Sequence, residues 1–152
     1  SISKGITSYI ISAQLILLFI LQWPIGNWLS SKNKLFGLKF SIINFGIGTF
    51  LLFISSYSLN YGFYIMLLAI IFCSFGTSSF LPTSSDIVFG IAPIDRKGFA
   101  LALLSQCFAI GYFIGPILSG RILDFMGNAS LIWLFTSSIC FFITIFLFNK
   151  KY

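Results

Sequence analysis

A chain of 152 residues with 58% hydrophobic and only 8% charged side chains lacks the polar surface of a dissolved globular domain, which carries about a quarter charged residues. Its mean hydropathy of +1.02 and its 20 phenylalanines place it in a lipid bilayer. There is no histidine, which removes histidine-based triads and the commonest metal ligand, and the three cysteines sit in apolar runs at no metal-like spacing, so no cofactor or metal is expected.

The chain opens on Ser1-Ile2-Ser3-Lys4 rather than a methionine and reads as a truncation of something longer. Its first apolar stretch, residues 6–29, carries Gln14 and Gln22. Amides at that depth are costly unless bonded, so each is either interhelical glue or a substrate contact. Lys32, Lys34 and Lys39 follow. A second stretch, 36–57, includes the polar Asn44.

The third stretch, 61–93, overruns a bilayer, and Pro82 after "GTSSFLPTSSD" predicts a kinked helix whose last turns emerge on the basic side. Hydroxyls of Ser74, Thr77, Ser78 and Ser79 are expected to bond back onto their own helix. Asp86 could carry a proton, or pair with Lys32, Arg96 or Lys97 at the helix end.

The fourth stretch, 99–125, places Cys107, Gly111, Gly115 and Ser119 four apart, a ridge of small residues beside Pro116 and Gly120. Without a hydrophobic drive between helices in lipid, such ridges let backbones approach closely. Gln106 and Tyr112 lie six apart, on nearly opposite faces. Arg121 and Asp124 suit an i, i+3 pair at the other membrane surface. The fifth stretch, 131–148, includes Ser137 and precedes Lys150 and Lys151.

Each stretch has about the 20 residues a crossing helix needs, and none shows the alternation of a barrel strand. The fold class is therefore all-α, a polytopic bundle of five transmembrane helices in one domain. Lys32, Lys34, Lys39, Arg96, Lys97, Lys150 and Lys151 then fall on one face, against Lys4 and Arg121 on the other. The positive-inside bias puts the first face and the C-terminus in the cytoplasm, in an inner or plasma membrane. The charge of +6 is thus topological and implies no nucleic-acid partner.

Residues 93–120, "PIDRKGFALALLSQCFAIGYFIGPILSG", resemble the major facilitator superfamily of secondary transporters: Pro93, Asp95, Arg96, Gly98, Ala100, Leu103, Gly111, Gly115, Pro116 and Gly120 match its pattern in order. "WPIGNWLSSKNK", residues 23–34, is similar to a worn cytoplasmic loop of that family, in which Leu29 and Lys32 fit while Asn27, Ser31 and Lys34 replace Gly, Asp and Gly. The third stretch lacks the Arg-x-x-x-Gly of drug antiporters. By the spacing of these motifs the chain resembles helices two to six or eight to twelve of the family; the missing Arg, the worn loop and the short basic tail favour eight to twelve, an incomplete fold whose N-terminal half is its partner.

The resemblance implies alternating access for a small molecule, with proton coupling and efflux as further expectations. It puts the first, third and fourth stretches near the pathway and the other two in support. Gln14, Gln22, Ser78, Gln106 and Tyr112 become candidate substrate contacts. Gly111, Gly115, Pro116, Ser119 and Gly120 become a packing or gating seam, and Lys32, Asp86, Asp95, Arg96 and Lys97 a cytoplasmic charge network. A non-transporting membrane scaffold is the alternative. An enzyme is not expected, because "GTSSF", residues 76–80, has no histidine to serve it.

Overall fold

A computed structural model of the protein describes residues 4–58 and 60–149, with the side chains of 4–8, 10, 11 and 149 excepted. It contains helices α1 (Lys4–Ser30), α2 (Lys34–Tyr57), α3 (Gly62–Ile91), α4 (Lys97–Met126) and α5 (Ser130–Asn149), with a 3-10 turn at Ile94–Arg96. All five are long and apolar enough to cross a membrane. Their ends fall within two residues of the apolar stretches.

Local chemistry sets those ends. Asn33 caps α2 by accepting a hydrogen bond from the Leu35 amide at 3.1 Å. α4 stops at Gly127, whose φ of 64° is left-handed and whose amide donates to the Leu123 carbonyl at 2.8 Å. Asn128 caps α5 through the Ser130 amide at 3.0 Å. α3 ends two residues before Pro93, which cannot continue a helix. Pro24, Pro82 and Pro116 each lie inside a continuous helix.

The bundle inverts the pattern of a soluble protein. Its enclosed side chains include Ser41, Thr49, Ser74, Ser78, Ser79 and Ser137, while among its described Phe, Ile and Leu residues only Ile25, Leu29 and Ile70 are buried. Lipid is as apolar as leucine, so large side chains gain little by facing inward, and small ones allow backbones to meet. Three of these hydroxyls are satisfied within their own helix: Ser41 donates to Leu38 at 2.9 Å, Thr49 to Phe45 at 3.0 Å and Ser79 to Phe75 at 2.7 Å, each to a backbone carbonyl.

α2 is the central element, packed along α3 on one side and α5 on another, while α1 packs on α3. The α2–α3 contact is made backbone to backbone. A Cβ on Gly48 would meet the Cys73 amide nitrogen at 2.8 Å, and one on Gly76 would meet the Phe45 nitrogen at 2.8 Å. On the α5 side, Ser137 donates to the Gly46 carbonyl at 3.2 Å, and a Cβ on Gly46 would stand 3.1 Å from the Cys140 Cβ.

α4 differs from the rest. None of its described residues is buried, and it touches α3 and α5 only lightly. Near its start Phe108 meets Phe80 of α3 edge to face at 5.9 Å.

Gly48→Val and Gly76→Val are therefore expected to lower the thermal unfolding midpoint in detergent, by the ~1–3 kcal/mol typical of overpacking or more. Gly26→Val, where nothing lies within 4 Å, should move the midpoint by far less, the residual being the modest β-branched propensity difference.

Candidate functional site

Two places gather polar groups across helices: the basic end of the bundle and the α1–α3 contact. At the basic end, Lys34 opens α2 and Asp86 lies on the last turns of α3. The Lys34 Nζ stands 3.2 Å from the Asp86 Oδ2 and donates to the Asp86 backbone carbonyl at 2.9 Å. Gly90, one turn on, leaves room for the ammonium, since a Cβ there would stand 3.0 Å from it. The side chains are 48% and 59% exposed. A pair so open to solvent contributes about 0.2–1 kcal/mol.

Asp86 thus pairs with Lys34, not with the expected Lys32, Arg96 or Lys97. The helix geometry explains the correction. Antiparallel packing brings the start of α2 against the end of α3, while the other bases are engaged elsewhere or turned away. Lys97 lies over the Phe89 ring at 4.0 Å, Arg96 is 3.6 Å from its neighbour Asp95, and Lys32 is exposed in the turn. Lys39 stands over the Phe148 ring at 4.4 Å, which brings the end of α5 to the same side. Lys150 and Lys151 lie outside the described residues. A cavity of about 380 Å³ sits beside the ion pair, lined by Gly26, Leu29, Asn33, Thr83 and Pro82 among others.

At the opposite end the expected Arg121–Asp124 pair is absent: the ion pairs among the described residues are Lys34–Asp86 and Asp95–Arg96. Both side chains are exposed and border a shallow hollow formed by α4 alone. Order at this end comes instead from α2 and α5, where the Tyr57 and Ser130 hydroxyls are 3.2 Å apart and the Asn128 amide donates to Tyr57 at 3.4 Å.

Of the predicted pathway residues, Gln14 is half-buried on α1 and Gln22 exposed, with Ser78 enclosed between α1 and α3. The Ser78 hydroxyl reaches the Leu18 carbonyl of α1 at 3.5 Å, the long limit of a hydrogen bond, so it points across the contact rather than back along its helix. Thr77 does bond back, to the Cys73 carbonyl at 2.9 Å. Gln106 and Tyr112 stand on the open surface of α4, apart from the α1–α3 group.

The ridge on α4 is also open. A Cβ on Gly111, Gly115 or Gly120 would meet nothing within 4 Å, Pro116 is exposed, and Gly115 and Ser119 are half-buried. The close seam within this chain is the unpredicted one on α2 and α3. Its signal was present in the spacing of Gly37, Ser41 and Gly48 and in the seven-residue repeat Ala69, Gly76, Thr83. Among the described residues no cluster suits a metal ion.

A family profile described as Major Facilitator Superfamily matches residues 1–152. No curated protein and no solved structure matches the chain.

Exchanging the charges of the ion pair (Lys34→Asp with Asp86→Lys) should recover part of the midpoint lost in either single variant. The coupling between them should stay within about 1 kcal/mol and shrink as salt rises. Thermal unfolding at low and high salt reads both effects.

Proposed function

The chain belongs to the Major Facilitator Superfamily, a family of membrane transporters, and on that footing we propose that it is the second half of a secondary active transporter. It moves a small molecule by alternating access, rocking against an N-terminal half of the same polypeptide around a midplane site. Efflux is the direction we propose, and the basic end faces the cytoplasm of an inner or plasma membrane. Any proton-carrying acid belongs to the other half in this reading, since Asp86 is paired with Lys34 at the basic end of the bundle.

The open state of α4 carries this reading. A helix with a four-residue repeat of small side chains and an internal proline is built for close contact, yet no described residue of another helix lies within 4 Å of where a Cβ on Gly111, Gly115 or Gly120 would stand. In the proposed transporter Gly111, Gly115, Pro116, Ser119 and Gly120 meet the partner half and slide or bend there. Gln14, Gln22, Gln106 and Tyr112 offer hydrogen bonds to the substrate from α1 and α4. Lys34 with Asp86 and Arg96 with Asp95 are the charge pairs of the cytoplasmic end, Lys32 and Lys97 add to its positive charge, and α2 and α5 are support.

Gly115→Val separates transport from folding. In proteoliposomes of the full-length gene product it should cut the maximal solute flux about tenfold, equivalent to about 1.4 kcal/mol. The unfolding midpoint of the purified protein should fall much less than in Gly48→Val. Unchanged flux would remove the ridge from the mechanism. No flux of any solute by the unaltered protein would favour a scaffold.

A further inference from the structure

Two polar side chains, Ser74 of α3 and Gln14 of α1, have no hydrogen-bond partner among the described residues. The Ser74 hydroxyl is fully enclosed and unbonded. Gln14, half-buried on α1, makes no hydrogen bond to a described residue. Both lie inside spans that cross hydrocarbon, where an unsatisfied polar group is costly.

Helix periodicity, counted from the Ser78–Leu18 contact, sets the two at a similar height. α1 and α3 run parallel: Leu18 meets Ser78, and further along both helices Leu29 and Thr83 would both touch a Cβ on Gly37. Partway along the same contact the Ser78 hydroxyl faces the Leu18 carbonyl. One turn back along each helix, on the same faces, lie Ser74 and Gln14. Gln14 brings two donors and an acceptor from the open side, and Ser74 a hydroxyl from the enclosed side.

We propose that Gln14 and Ser74 form one polar subsite that binds a single uncharged hydrogen-bonding group, either a water molecule or a hydroxyl or carbonyl of the transported solute. The nearest charges along these two helices are remote, which favours an uncharged group over an ion. Asp86 stands about 18 Å along α3 from Ser74, and Lys4 about 15 Å along α1 from Gln14, at about 1.5 Å per residue. Occupancy by a solute rests on the transporter reading; occupancy by water does not.

Two measurements on the full-length protein test the subsite. The first is the unfolding midpoint of Gln14→Ala, Ser74→Ala and the double variant, purified without added solute. The subsite predicts non-additive losses, the double variant falling no further than the worse single one. Additive losses, or a Ser74→Ala variant more stable than the parent, overturn it. The second is reaction of Ser74→Cys with 2-aminoethyl methanethiosulfonate, located by peptide mass spectrometry, with the buried Cys73 as the neighbouring control. Labelling at equal rates in washed membranes and intact cells identifies water as the occupant, and slower labelling in intact cells identifies a cellular solute. No labelling of position 74 in either preparation overturns the subsite. A non-additive stability result in a protein that moves no solute would leave the water site standing and end the transporter reading.

Discussion

The close approach of α2 and α3 is the constraint on which the rest of the bundle depends. Lipid offers helices no hydrophobic reason to associate, so association must come from contact between surfaces without bulk. Gly48 and Gly76 supply such surfaces, each lying against a backbone nitrogen of the opposite helix. With α2 seated there, Gly46 presents its carbonyl to Ser137 of α5, and the far side of α3 is left for α1. The large apolar side chains are then free to face outward.

The same solvent explains where the polar groups went. Within the spans hydroxyls return to carbonyls of their own helix or reach a neighbouring one, as Thr77 and Ser137 do. Charges are confined to the ends, where Lys34 reaches both the carboxylate and the carbonyl of Asp86 in the space left by Gly90. That pair is too exposed to hold the fold by itself. It fixes the relative position of two helix ends that small-residue packing has already brought together. Against this background the unbonded Ser74 hydroxyl is an exception that calls for a partner.

What was legible in the sequence follows from which signals are local. The five spans, their ends and the clustering of basic residues depend on runs of neighbouring residues, and they could be read directly. Which side of a helix meets which neighbour depends on the whole arrangement. The repeat on α4 looked like the strongest seam because its spacing is uninterrupted, whereas Phe45 breaks the small-residue pattern on α2. Spacing says that a face can pack closely, but not what covers it. Asp86 was placed at a helix end, yet its partner was set by the register of α2 against α3, which the charges alone do not encode. Ser78 looked like one more back-bonding serine and instead points across to α1.

Disulfide trapping tests the central place of α2 most directly. In Gly46→Cys the new Cβ would lie 3.1 Å from the Cys140 Cβ, closer than the about 3.5–4.5 Å span of ordinary disulfides and within reach of a small relaxation. Mild oxidation of membranes, followed by peptide mass spectrometry, should join position 46 to Cys140 and leave the exposed Cys107 of α4 outside any link to α2. A link from position 46 to Cys107, or none to Cys140 in protein that is folded and inserted, would contradict a bundle built around α2.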